Sequence, residues 1–296
     1  MKKQWMLPLT AVLGAAAAFV LRLVHKRVGF EPGTGLPIPG NFAGTALAIL
    51  LAALAVLLLL LVRQLPKEEE PGPVFPEAFS TADTRLLTLP VMGVFLIALS
   101  GAADLLEGAG VANLLWKLHT AAALNDPYTL STTMQLEVYG APAFSTKAQL
   151  LMGLLALLSA GGLFLNLIAC RRKAGEPPRP ANGNLLLILP VSLVVRLVLT
   201  YRIDSVNPAL SAYYVELLAL VFLSLGFYRL SSFAFRAGQT RRFALYAGAA
   251  VILSIAALAD VTRYLSSILL YAGGALTLLG FLLLRLVSQP AAEGGA

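Results

Sequence analysis

The chain has 296 residues, of which 58% are hydrophobic and only 12% are charged, and its mean hydropathy is +0.80. A water-soluble domain of this length carries about twice that charged fraction, so the composition excludes a soluble globular protein. It predicts an all-α, polytopic transmembrane bundle. The net charge of +7 does not indicate nucleic-acid binding, because the lysines and arginines lie beside apolar segments and do not form one patch.

The residues that usually build metal or redox sites are scarce. Cys170 is the single cysteine, which excludes an intrachain disulfide and any site made of several thiolates. His25 and His119 fall in predicted loops, and neither has another metal ligand at helical spacing. The sequence contains no P-loop, nucleophile elbow, HExxH or GxGxxG pattern. We therefore expect no metal and no cofactor, and the sequence favours a protein that is not an enzyme.

Apolar segments long enough to cross a bilayer recur along the chain, since a spanning helix needs about 20 apolar residues. Eight segments meet this length: 5–24, 43–62, 86–106, 148–169, 185–202, 209–230, 242–263 and 266–287. The first resembles a secretory signal in its charge pattern, but its apolar run continues to Val24, so we expect a retained helix. Asn41 is predicted to cap the second helix, and Asn207 with Pro208 to start the sixth.

The lysine and arginine distribution predicts the orientation. With the amino terminus in the cytoplasm, the inner segments contain more basic residues than the outer segments. An even number of helices then also places the carboxyl terminus in the cytoplasm. The sequence thus predicts a multi-pass protein of the cell (inner) membrane, whose first partner is the lipid bilayer.

Three charged positions of the first half recur in order in the second half: Arg22 as Arg196, Arg63 as Arg229, and Asp104 as Asp260. The recurrence predicts a 4+4 tandem repeat, made of residues 1–172 and 185–288 and joined by a cytoplasmic linker at 173–184. The first repeat would carry an external insert at about 107–147, and 289–296 would be a disordered tail. The alternative is that arginine and aspartate simply favour helix ends.

Charged and polar residues within the apolar spans are the candidates for a site, because charge inside a membrane is costly and usually functional. The candidate substrate- or ion-binding residues are Glu216, Arg196, Asp260, Arg202 and Tyr213. Glu216 lies about 10 Å along the sixth predicted helix, and its counterpart in the first repeat is Leu50, so the repeat does not explain it. We predict that Glu216 is a proton carrier or cation ligand. The alternative is a buried ion pair with Arg196 or Arg202.

Arg22, Asp104 and Arg263 are predicted to be structural members of charge pairs. Arg22 is expected to pair with Asp104, and Arg196 with Asp260, if the first and third helices and the fifth and seventh helices are neighbours. Asp260 and Arg263 also have the i, i+3 spacing of a local pair. In the alternative interpretation the arginines extend to lipid headgroups.

Two main functional hypotheses follow, and a membrane enzyme that acts on lipid is a third alternative. In the first, the protein binds or transports a small solute or ion through a polar site in the outer half of the bundle. In the second, it is a membrane scaffold or sensor that does not transport and whose segment 107–147 contacts a partner. Glycines such as Gly161 and Gly273 are predicted to let helices approach closely, and the aliphatic second helix is expected to face lipid.

Overall fold

The computed structural model describes residues 5–31, 36–66, 74–81, 83–109, 146–171, 182–204, 213–260 and 265–288. Within these ranges the chain is helical, and eight helices are long and apolar enough to cross a membrane. They are α1 Met6–Val28, α2 Phe42–Arg63, α3 Thr84–Gly108, α4 Thr146–Cys170, α5 Ile188–Asp204, α6 Tyr214–Ser232, α7 Thr240–Ala257 and α8 Leu265–Ser288. A short helical turn, Gly183–Leu186, precedes α5 and completes the fifth span. The predicted fold class is confirmed, whereas the tandem repeat stays a prediction.

Three helix boundaries differ from the sequence prediction by four residues or more. The first helix continues to Val28, so His25 and Lys26 belong to a helix and not to a loop. Basic side chains in a last helical turn interact favourably with the helix dipole, which an apolar criterion does not detect. Helix α6 begins at Tyr214, and α7 ends at Ala257. The predicted cap at 207–208, most of the 107–147 insert, linker residues 173–181 and the tail lie outside the described residues.

The predicted cap of the second helix is confirmed. The Asn41 side-chain oxygen accepts hydrogen bonds from the backbone N–H groups of Ala43 and Gly44, at 2.8 and 3.4 Å. Its side-chain amide donates to the Val28 carbonyl at 2.6 Å. One asparagine therefore caps the start of α2 and binds the end of α1, which fixes the angle between these two helices.

Helix α3 packs between α4 and α8 with backbones in direct contact. A Cβ atom added to Gly273 of α8 would lie 2.7 Å from the Gly93 carbonyl oxygen of α3. On the other side of α3, a Cβ atom at Gly101 would lie 2.9 Å from the Gly153 carbonyl oxygen of α4. The close approach predicted at Gly273 is confirmed, but Gly161 faces open space. These contacts make α3, α4 and α8 one tightly packed layer.

The helices differ in how much of their apolar surface the bundle covers. In each of α7 and α8, 67% of the residues in the most apolar 18-residue stretch are buried, whereas in α2 this fraction is 17%. Helices α7 and α8 are therefore central. Helix α2 presents most of its aliphatic surface outward, as the sequence predicted.

The bundle has two chemically different ends. We use the name charged end for the end of the bundle where α1, α3, α5 and α7 finish and the even-numbered helices begin. The opposite end of the bundle is called the aromatic end. At the aromatic end the 3-10 turn Glu77–Phe79 inserts between helices, and Phe79 is fully buried. Its ring makes edge-on contacts with Phe233, Phe243 and Phe281, at centroid distances of 5.1, 5.7 and 5.4 Å.

Hydrogen bonds join this turn to the end of α8, which is in turn bonded to the start of α7. The Ala78 carbonyl accepts from Arg285 Nη1 and Ser288 Oγ of α8, at 3.2 and 2.6 Å. Arg285 Nε also donates to the Thr240 hydroxyl of α7 at 2.7 Å. A buried arginine of α8 therefore binds polar groups of both the turn and α7, and the turn closes the aromatic end.

Candidate functional site

The first cluster of the charged end centres on Arg22, which is fully buried. Its Nε donates to both carboxylate oxygens of Asp260, at 2.8 and 3.1 Å. Lys26, one turn further along α1, places its Nζ 3.1 Å from the same carboxylate. The Tyr214 ring of α6 lies 5.2 Å from the guanidinium carbon, a cation–π distance. Helices α1 and α6 thus meet the turn after α7 at one carboxylate.

His25 is part of this cluster. Its Nδ1 lies 2.8 Å from Arg22 Nη1, and the side chain is buried. An arginine nitrogen only donates, so Nδ1 accepts and the ring proton sits on Nε2. The ring fits because its neighbour is a glycine: a Cβ atom at Gly44 would lie 2.9 Å from Nε2. His25 therefore holds a buried arginine in place from within its own helix.

The second cluster joins α3, α5 and α8. Arg196 Nη1 donates to Asp104 Oδ2 at 2.7 Å, and both side chains are buried. Its Nη2 donates to the hydroxyls of Ser267 and Ser266 in the first turn of α8, at 3.0 and 3.3 Å. Ser100 of α3 in turn donates to the Ser266 carbonyl at 2.7 Å. Hydroxyl groups thus complete the shell around the second buried ion pair.

The pairing predicted from the sequence is wrong, because the two arginines exchange partners. Arg22 binds Asp260 where Asp104 was expected, and Arg196 binds Asp104 where Asp260 was expected. The reason is the order of helices in space, since α1 packs along α7 and not along α3. Each ion pair therefore joins a residue of the first half of the chain to a residue of the second half.

Glu216 lies in the first turn of α6 and is half-buried. Its Oε1 accepts a hydrogen bond of 2.9 Å from the hydroxyl of Tyr271, which is fully buried in α8. The amino-terminal position in a helix stabilises a negative charge through the helix dipole. A phenol and a helix end thus together hold this acid at the edge of the bundle.

Helix α8 brings the two main sequence candidates to one surface. Ser267 and Tyr271 are four residues apart and therefore lie on the same helix face. Ser267 binds Arg196, and Tyr271 binds Glu216. One stripe of α8 thus contacts a buried cation at one position and a half-buried acid one turn later.

Sequence reasoning missed Ser266, Ser267 and Tyr271. The spacing of Ser267 and Tyr271 in an otherwise apolar helix was the available signal. Glu107 was also missed. It lies one turn beyond Asp104, and its Oε2 is buried without a hydrogen-bond partner among the residues that the structure describes. An acid therefore lies beside the second ion pair with acceptor capacity to spare.

The remaining candidates lie at the rim of the charged end. Tyr213 directly precedes α6 and is half-buried, and its side chain does not cap that helix. Arg202 is exposed in the last turn of α5. Arg263 lies outside the described residues. Across the described ranges, histidine, cysteine and acidic side chains do not form a group of three or more suited to a metal ion.

The ends of the bundle differ in net charge. Six basic and six acidic described residues lie at the charged end: Arg22, Lys26, Arg27, Lys147, Arg196, Arg202, Glu31, Asp104, Glu107, Asp204, Glu216 and Asp260. Eight arginines and two acids lie at the aromatic end: Arg63, Arg85, Arg171, Arg229, Arg236, Arg241, Arg242, Arg285, Glu77 and Asp83. The described part of the chain is therefore balanced at one end and strongly basic at the other.

Known proteins supply no assignment. No protein-family model, no curated protein and no solved structure matches this chain. The charged end contains the buried ion pairs and Glu216. A surface groove of about 280 Å³, lined by Trp5, Pro8, Leu9, Val12, Leu279 and Leu283, lies away from it and is apolar.

Proposed function

We propose that this integral membrane protein binds, and carries across the bilayer, a proton or small cation at the charged end, with Glu216 as the carrier. The observation that supports this is the Glu216–Tyr271 hydrogen bond, which places an acid at the edge of the helix bundle against a buried phenol. Ionisable groups within membrane spans commonly mark proton and ion pathways. The half-buried position leaves Glu216 accessible from one end.

Tyr271 suits a group that changes charge. A phenol donates to an ionised carboxylate, and its oxygen accepts when the carboxyl group is protonated. The same hydroxyl therefore serves both states of Glu216. Arg196 of α5 binds Ser267 on the same α8 stripe, one turn from Tyr271, so it helps to hold the stripe that presents the phenol to Glu216.

The two ion pairs have a positioning role in this proposal. Arg22 with Asp260 and Arg196 with Asp104 are buried ion pairs, which join α1 to the turn after α7 and α3 to α5 at the end of the bundle where Glu216 lies. Such pairing also supports the second candidate, a membrane scaffold or sensor, because charges that only join helices need no solute. In that case the 107–147 segment would carry the function through partner contact.

We further propose that the aromatic end faces the cytoplasm and that both termini lie there, as expected for a cell (inner) membrane protein. The excess of arginine at that end supports this orientation, because cytoplasmic ends of spans are enriched in basic residues. The proposed ion site then opens toward the outside.

Proteoliposomes with an entrapped pH-sensitive dye test the carrier proposal. An imposed pH gradient, in the presence of Na⁺ or K⁺, should collapse faster than in protein-free vesicles. Glu216→Gln should reduce the rate to the protein-free level, and Tyr271→Phe should reduce it in part, with both variants retaining the wild-type melting temperature. Glu77→Gln, which changes an exposed acid at the other end, is the matched control and should retain the wild-type rate.

Two results would decide against the carrier. If wild-type protein collapses none of these gradients, it does not carry these ions. If Glu216→Gln is as active as the wild type, Glu216 is not the carrier. Loss of partner binding on deletion of 110–145, with Glu216→Gln unaffected, would instead support the scaffold.

A further inference from the structure

Arg229, in the last turn of α6, is enclosed by two tyrosine rings. Its guanidinium carbon lies 5.6 Å from the ring centroid of Tyr228 and 5.6 Å from that of Tyr246 in α7. Its Nε is buried without a hydrogen-bond partner in the part of the chain that the structure describes. The rings therefore hold this cation in place while leaving its hydrogen-bonding capacity incompletely used.

The positive charge of Arg229 is not neutralised within the described ranges, because no acidic residue there forms an ion pair with it. Arg242, four residues before Tyr246, lies on the same face of α7 one turn nearer the aromatic end. Its side chain is exposed. Arg229 thus contacts the Tyr246 ring, and Arg242 lies one helical turn from Tyr246, at the strongly basic end of the bundle.

We propose that Arg229 and Arg242, with the hydroxyls of Tyr228 and Tyr246, bind the phosphate of an anionic phospholipid. Guanidinium groups bind phosphate oxygens through parallel hydrogen bonds. Tyrosine rings are enriched at the depth of lipid headgroups. The site is separate from Glu216, which lies at the opposite end of α6. Lipid binding here therefore does not depend on ion transport.

The position on the bundle favours a lipid over a soluble phosphate. Tyr228 is 50% exposed on the outer surface of a helix that spans the membrane, so its exposed face meets lipid. Anionic lipid headgroups are attracted to basic clusters at the cytoplasmic ends of spans. A phospholipid placed here would have its phosphate near the two arginines and its acyl chains along α6 and α7.

Native mass spectrometry of the full chain in detergent, titrated with phosphatidylglycerol or phosphatidylcholine of the same acyl composition, tests the site. Wild-type protein should bind the first phosphatidylglycerol more tightly than phosphatidylcholine. Arg229→Gln should weaken that step about tenfold, as expected for loss of a charge-assisted hydrogen bond. Arg242→Gln, at an exposed position where folding is not at risk, should weaken it several-fold.

Arg85→Gln is the matched control, because Arg85 is an exposed arginine at the same end of the bundle. It should leave the first binding step unchanged. An equal effect of Arg85→Gln and Arg229→Gln would overturn the proposal in favour of attraction by net charge alone. Competition by millimolar inorganic phosphate at constant ionic strength would overturn the lipid assignment and indicate a soluble phosphate ligand.

Discussion

Arg22 and Asp260 are 238 residues apart in the chain, yet they share a two-point ion pair with donor–acceptor distances of 2.8 and 3.1 Å. Arg196 and Asp104, 92 residues apart, form the second buried pair. Both pairs connect the first half of the chain to the second. The charged end can therefore form only when both halves have packed, which couples its assembly to the fold of the whole bundle.

A double-mutant cycle tests this partner assignment. Arg22→Met and Asp260→Asn should each destabilise the protein strongly, since removing one member of a buried pair costs about 3–5 kcal/mol. The double variant should lose less than the sum, with a coupling of about 0.5–3 kcal/mol. Equilibrium unfolding in mixed detergent micelles measures each free energy of unfolding.

The matched control combines Arg22→Met with Asp104→Asn. These residues belong to different ion pairs, so their effects should add to within about 0.5 kcal/mol. Strong coupling in this control, together with additivity between Arg22 and Asp260, would restore the partners expected from sequence alone.

The contact between α3 and α8 gives a second prediction. Gly273→Ala places a methyl group 2.7 Å from a backbone carbonyl of α3, and backbone cannot move away without separating the helices. We expect a loss of about 1–3 kcal/mol in the free energy of unfolding. Gly161→Ala is the control, because nothing lies within 4 Å of its added Cβ; it should be neutral or stabilising by up to about 1 kcal/mol. Equal effects at both positions would contradict the close packing.

The sequence was sufficient to predict the helices but not their neighbours. An apolar run of the right length predicts a span because the bilayer imposes that length. Arg22 and Arg196, however, occupy nearly identical local sequences, Val-Leu-Arg-Leu-Val and Val-Val-Arg-Leu-Val, so nothing local distinguishes their partners. Which aspartate each arginine binds depends on which helices pack together, and that depends on side-chain shape summed over whole helix faces.

The residues of the charged end could be predicted from the sequence only in part. Glu216 and Arg196 stand out because charge is rare in an apolar span. Tyr271 does not stand out, because a tyrosine in an apolar helix is usually a core residue. Only the fold shows that its hydroxyl donates a hydrogen bond to Glu216. His25 was missed because hydropathy placed the end of the first helix before it.

The aromatic end gives a third prediction. Phe79→Ala removes a fully buried ring that contacts four other phenylalanine rings, so it should cost about 3–5 kcal/mol of unfolding free energy. Phe235→Ala is the matched control: Phe235 is 51% exposed, and its loss should be nearly neutral. Hydrogen exchange should also become faster for the backbone amides of 74–81 in Phe79→Ala only. Unchanged exchange there would mean that Phe79 does not hold the turn.

The charge difference between the ends gives the last prediction, which concerns orientation. In a Cys170→Ser background, Arg85→Cys and Lys147→Cys place single exposed thiols at the aromatic and the charged end, respectively. A membrane-impermeant maleimide added to intact cells should label the thiol at 147 and not the thiol at 85, because the basic end is expected in the cytoplasm. After cell lysis both thiols should react, which controls for accessibility. Labelling at 85 alone in intact cells would reverse the orientation and would place Glu216 on the cytoplasmic side, so an ion bound there would be taken up from the cytoplasm instead of from outside.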